Sequence, residues 1–320
     1  MKLWRVWLSL LLLCCAAGAA QAQGAAAAQV IDQDWNDAAR QRAVPVRLRV
    51  PAGGGPFPVI LFSHGLGGSR DAGTVWGEHW AKHGYLVIHL QHPGSDEALW
   101  KGRPVGAMAR AREAMSMQNA TLRTGDVAFV LDELERRRSM GEALLARADL
   151  RHIGLAGHSF GAQTTLAVAG EHGATGGSRA DPRIRAAIAM SPAAWGPQNT
   201  LAPRFADIRI PFLSLTGTAD KVAITPQITP ENRRLPYQYM PGPDKYLLVL
   251  QEANHMVFGG QPGLRVWTAQ NTDVHAPLIE QVSLGFWDAY LKGDAQARAA
   301  LAADGAFRRK LGSNGEWFAK

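Results

Sequence analysis

Residues 152–163, HIGLAGHSFGAQ, decide the fold of this 320-residue chain. An apolar run ends in Gly157-His158-Ser159-Phe160-Gly161, and a run of small residues, GAQTTLAVAG (161–170), follows. A short continuous apolar run suits a strand buried on both faces, and the small-residue run suits a helix packed closely against it. Strand, glycine-flanked turn and helix form the context in which G-x-S-x-G lifts a serine hydroxyl clear of the backbone. The competing reading of Ser159 is an ordinary turn serine.

Working outward, the same pattern recurs. PVILFSHG (58–65), YLVIHLQHPG (85–94), IRAAIAMSP (184–192), PFLSLTGTAD (211–220) and KYLLVLQEANH (245–255) are apolar runs ending in polar loops. VPVRLRVP (44–51) alternates and predicts a half-exposed strand pairing with residues 30–35. Helices are predicted over 73–83, 108–138, 161–170 and 278–293, and the Pro-rich stretch 225–243 reads as a surface loop. Alternating strands and helices predict an α/β fold, a mostly parallel sheet covered by helices on both faces. No gap between strands is long enough for a large cap domain, although 92–120 could form a small lid.

The N-terminus, MKLWRVWLSLLLLCCAAGAAQAQ, has a basic start at Lys2 and Arg5, a short apolar run and a small-x-small site at Ala20 and Ala22. It predicts a signal peptide over 1–22, a flexible leader over 23–29 and one catalytic domain over 23–320, in a periplasmic or secreted protein. The apolar run is too short for a stable membrane anchor. Both cysteines, Cys14 and Cys15, fall inside this segment, so the exported chain has neither a disulfide nor a cysteine nucleophile. The formal charge of +7 reads as a mildly basic surface. No basic block, zinc-finger spacing or RNA-binding signature points to nucleic acid, and no spacing of ligating residues points to a metal. Oligomeric state is not legible.

Ligands of open parallel sheets bind beyond the C-terminal ends of the strands. A serine there needs a base, and the base needs a carboxylate to orient it. A base late in the chain leaves His255 and His275; His255 directly follows the last long strand, whereas His275 reads as a loop histidine. Asp220, closing LSLTGTAD, is the candidate acid, with Asp244, Glu252 and Asp273 as rivals. The glycine-rich loop SHGLGGS (63–69) predicts oxyanion donors at the N–H of Leu66 and of Phe160, the residue after the nucleophile. Trp195, Phe258 and Trp267 are candidate substrate-binding aromatics; Tyr237 and Tyr239 also fall in predicted loops.

The stretches DWNDAARQRAVPVRLRVP, FSHGLGGSR, QHPGSD, GHSFGAQ, LTGTAD and ANHMVFGG together resemble the serine α/β-hydrolases of the bacterial predicted dienelactone-hydrolase group. That group is similar to platelet-activating factor acetylhydrolases and, more distantly, to chlorophyllases and polyester hydrolases. The resemblance implies an α/β-hydrolase fold and a triad of Ser159, Asp220 and His255. It also implies oxyanion donors at Leu66 and Phe160, a small-molecule ester as substrate, and no cofactor. True dienelactone hydrolases use cysteine where this chain has Ser159. An acyltransferase with the same triad, and a catalytically idle binding protein on the same fold, are the alternative functions.

Overall fold

In strand β3 (Phe57–Ser63), Val59 and Leu61 pack into one apolar cluster and Ile60 and Phe62 into another, and all four are buried. Side chains of a strand alternate between faces, so β3 must have helices on both sides. The computed structural model describes residues 28–102, 105–173, 177–261 and 272–320. The predicted signal peptide lies outside them.

Among the described residues, nine strands form one sheet in the order β1-β2-β4-β3-β5-β6-β7-β8-β9. The parallel centre comprises β3, β4 (Leu86–Leu90), β5 (Ala148–His158), β6 (Ile184–Met190), β7 (Phe212–Ala219) and β8 (Lys245–Asn254). Antiparallel strands close both sides: β1 (Gln29–Asp37) with β2 (Arg42–Val50) at one, β9 (Gly315–Ala319) at the other. The predicted pairing of 44–51 with 30–35 is present, Val44 opposite Trp35 and Arg49 opposite Val30.

Helices α1 (Thr74–Lys82) and α7 (Thr272–Leu291) cover one face, with Trp76, Trp80, Phe286 and Trp287 in its core. The other face carries α3 (Met117–Ser139), α4 (Phe160–Ala169) and α5 (Gln198–Phe205). Val127, Val130, Leu131 and Leu134 of α3 recur at helical spacing and are fully buried. Each such side chain contributes roughly 1.5–3 kcal/mol when removed from water. Between β4 and α3 lie a short 3-10 turn (Glu97–Leu99) and α2 (Ala107–Ala114).

Several boundaries differ from expectation, each for a local reason. Gln29, placed in the leader by expectation, already pairs with Val50 at the start of β1. The helix predicted over 108–138 is two helices: Ser116 caps α3 by accepting the Asn119 N–H at 3.2 Å. The predicted loop 225–243 contains α6 (Pro230–Tyr239), which carries Tyr237 and Tyr239. Thr229 and Asn232 there cap each other reciprocally, and Pro230 sits in the first turn, where its missing N–H costs nothing. Helix α7 starts at Thr272, so His275 is helical rather than in a loop. Helices α5, α8 (Ala295–Ala300) and α9 (Ala306–Leu311), with β9, were not anticipated. No helix among the described residues is long and apolar enough to cross a membrane.

Candidate active site

Strand β3 lies beside β5, with Ser63 opposite Gly157, so the loop after β3 and the turn after β5 emerge side by side. The chain crosses from β4 over β3 to reach β5, and this reversal opens the crevice at that place. Ser159 occupies the turn with φ 55° and ψ −113°, a left-handed φ that typically costs a non-glycine residue about 1–3 kcal/mol. Its flanking glycines follow from crowding. A Cβ on Gly157 would strike the Gly161 carbonyl, and one on Gly161 would strike the carbonyl of Ser63. The Ser159 N–H is engaged, donating to the Met190 carbonyl at 2.9 Å. Phe160 opens α4, where an N–H has no intrahelical acceptor and the helix dipole is positive. Among the described residues, neither the Phe160 nor the Leu66 N–H has an acceptor.

His255 directly follows β8 and Asp220 directly follows β7, two neighbouring parallel strands. The His255 Nδ1 lies 2.7 Å from Asp220 Oδ1. Asp220 is fully buried, and its Oδ2 accepts the hydroxyls of Ser191 at 2.7 Å and Thr216 at 2.9 Å. The buried Arg233 sets its Nε 2.8 Å from Asp220 Oδ1 and 2.9 Å from the Asp220 carbonyl. Burial raises the Asp220 pKa, but His255, Arg233 and Ser191 outweigh it and hold the carboxyl below its usual range. His158 clasps the two segments: its Nε2 donates to the His255 carbonyl at 3.0 Å, and the two rings lie 4.7 Å apart. Trp76 of α1 donates to the Phe258 carbonyl at 3.0 Å and so pins the turn that follows His255.

Ser159, His255, His158 and Leu66 line one cavity of about 700 Å³, whose outer wall includes Trp100 and Met108. Phe160, as expected of a backbone donor, turns its ring away from this space toward Arg123, 4.5 Å from the guanidinium carbon. Two expected aromatics are not among the residues lining the cavity. Phe258 is fully buried in the core beside α1 and α7. Trp195 is more than half exposed and stacks with Arg204. Both corrections have one cause: a loop aromatic reads the same whether it faces core, solvent or ligand. Trp267 lies outside the described residues.

The rivals are elsewhere. His275 donates through Nε2 to the Gln251 carbonyl at 2.9 Å. Asp244 precedes β8, at the opposite end of the sheet from His255, and pairs with Arg298. A second serine–histidine–aspartate chain does exist. Ser63 Oγ lies 2.9 Å from His92 Nε2, and His92 Nδ1 lies 3.0 Å from Asp126 Oδ2. Ser63, His92 and Asp126 are all fully buried, and none lines the cavity. Sequence reasoning missed Ser191, Thr216, Arg233 and His158. Ser191 was the most legible of these, since it closes the apolar run of β6 at the ligand-bearing end of the sheet.

Residues 39–101 match the family model described as platelet-activating factor acetylhydrolase, isoform II. A platelet-activating factor acetylhydrolase of Bos taurus is 26% identical over 171 residues, which is 44% of this chain and 36% of that protein. The aligned part thus spans about a third of the curated relative. The chain is similar to this α/β-hydrolase family, in sequence and in its mostly parallel sheet.

Proposed function

We propose that the chain is a serine-dependent hydrolase of carboxylic esters, exported by residues 1–22 to the periplasm or the medium. The observation that carries this reading is the convergence on one cavity of Ser159, held at a left-handed φ, and His255, backed by buried Asp220. In this reading Ser159 Oγ attacks the acyl carbon while His255 Nε2 takes its proton. Asp220 fixes the Nδ1–H tautomer and stabilises the imidazolium. The carbonyl oxygen becomes an oxyanion that accepts from the N–H groups of Leu66 and Phe160. His255 then protonates the departing alcohol, and water, activated by the same imidazole, releases the acid and restores Ser159.

We assign a preference for short acyl groups. Among the described residues no cap domain covers the site beyond the cavity wall at Trp100 and Met108, so the far end of a long chain would stay in water and add no burial energy. On a panel of nitrophenyl esters from acetyl to palmitoyl, the purified protein is expected to peak at the short end; a maximum at palmitoyl would contradict the assignment.

A fluorophosphonate tests the reading as a whole, because it phosphonylates only a serine with a general base and oxyanion donors. One adduct is expected, on the peptide containing Ser159, in protein recovered from the cell envelope with Gln23 at its N-terminus. Folded protein that takes no adduct at neutral pH would support the idle binding protein instead. An adduct on a chain that retains Met1 would refute export alone.

A further inference from the structure

Arg123 lies on α3 and does not line the cavity, yet its fully buried guanidinium touches both segments that carry the proposed oxyanion donors. Toward the loop after β3, Nη2 donates to the carbonyl of His64, two residues before Leu66, and to Ser63 Oγ at 3.1 Å. Nη1 donates to Ser95 Oγ at 2.9 Å, and the carbonyl of that same Ser95 accepts the Gly67 N–H at 2.8 Å. Leu66 is therefore bracketed on both sides. Toward α4, Nε donates to Thr164 Oγ1 at 3.1 Å, and the Thr164 hydroxyl donates to the Phe160 carbonyl at 3.1 Å. The guanidinium face covers the Phe160 ring.

All these hydrogen-bond acceptors are neutral. Of the two nearby carboxylates, Asp126 is taken up by Arg40, Arg42 and His92, and Asp96 accepts from the Gln91 amide at 2.8 Å. A buried guanidinium without a bidentate carboxylate is costly, and burial pushes its pKa down to about 9. It remains cationic at neutral pH, so every N–H stays a donor. Its planar fork spans two separate segments with fixed angles, which the single point charge of a lysine cannot do. Oxyanion donors act only if held within about half an ångström of their working positions.

We propose that Arg123 is a positioning residue, which fixes the spacing between the Leu66 and Phe160 N–H groups and thereby stabilises the tetrahedral state. The proposal rests on the ester-hydrolase reading above. It differs from a structural core role in one respect: its removal must weaken binding of the tetrahedral state more than binding of the substrate.

The test uses Arg123→Lys and Thr164→Val, the latter keeping the side-chain shape while deleting both of its hydrogen bonds. For each, kcat and KM on a short-acyl nitrophenyl ester are normalised to the fraction titrated by fluorophosphonate. The inhibition constant of a trifluoromethyl ketone, which binds serine as a tetrahedral adduct, is measured alongside. Arg123→Lys is expected to lower kcat about 10- to 100-fold with KM changed less than about threefold, and to weaken the ketone in proportion to kcat. Thr164→Val is expected to move the same two quantities together, by about three- to tenfold. Normalised kcat and ketone affinity unchanged in Thr164→Val, or a loss confined to the titratable fraction in both variants, would overturn the proposal while leaving the active wild type, and so the hydrolase reading, intact. A wild type with neither activity nor adduct would instead overturn the hydrolase reading and this proposal with it.

Discussion

Ser159→Ala is expected to lower kcat by about 10⁴–10⁶, His255→Ala by a similar factor, and the double variant by little more than either alone. The reason is that each side chain acts through the other. Without His255 the hydroxyl keeps its proton, and without the hydroxyl the imidazole has nothing to activate. Asp220→Asn is expected to cost about 10³–10⁴. Four donors surround the Asp220 carboxylate: His255, Ser191, Thr216 and Arg233. Whichever way an amide is turned, its NH₂ faces one of them, and Arg233 is left buried without a counter-charge. Steady-state kinetics on a nitrophenyl ester check these values. His275→Ala is the control, because His275 already donates to the Gln251 carbonyl and does not line the cavity. Lost activity in His275→Ala with activity kept in His255→Ala would reassign the base.

The second large effect is expected on acidification. His64, His89, His92 and His158 are buried and held neutral, His89 and His158 down to about 3 and His92 to about 4. Loss of solvation is the main cause in each, joined by the Arg123 cation for His64 and His92, by Arg49 for His89 and by His255 for His158. The hydrogen bonds agree. His64 Nε2 accepts the His92 N–H at 3.0 Å, and His89 Nε2 accepts from Arg49 at 3.3 Å, so a proton on either ring would break a bond.

The sign is fixed by comparison with the unfolded chain, where these histidines bind protons near pH 6.5. Stability is whole above that value and falls as pH drops toward the folded pKa values, because the unfolded state takes up the extra protons. Each histidine withdraws about 1.4 kcal/mol per pH unit in that window, so the four together remove on the order of 5 kcal/mol per unit. Against a typical stability of about 5–15 kcal/mol, unfolding is expected between about pH 4 and 5.5. Circular dichroism and tryptophan fluorescence across pH 7 to 3 measure it; a native spectrum persisting at pH 3.5 would show that the burial of these rings is relieved in solution.

Periodicity was sufficient for the strands of the parallel centre, because these are buried on both faces, but not for the edge strand β9. Runs such as PVILFSHG leave a continuous apolar signature that needs no partner to be recognised. The site elements legible in the sequence were those set by position along a strand: Ser159, Asp220 and His255 all stand at its C-terminal end. Helix α6 was hidden because Pro230 and Pro236 signal a loop, whereas the cap formed by Thr229 and Asn232 is a three-dimensional contact. Trp195 and Phe258 were misplaced for a related reason, since sequence shows that an aromatic is in a loop but not which way it faces. Arg123 escaped notice altogether. On a helix rich in arginine its spacing matches a solvated face, and only packing shows that it is turned inward while Arg136, Arg137 and Arg138 ion-pair or stay exposed near the helix end.

The strand order also sets when the site can exist during folding. Its parts follow β3, β5, β7 and β8, and the neighbouring strands β3 (ending at Ser63) and β5 (starting at Ala148) are separated by 84 residues of intervening chain. Such long-range pairings give a high contact order, and chains of high contact order fold slowly. A chain growing from the ribosome has Ser159 long before it has β8, and with it His255. On the proposed mechanism Ser159 therefore stays inert until β8 has been made and has docked, because His255 directly follows that strand.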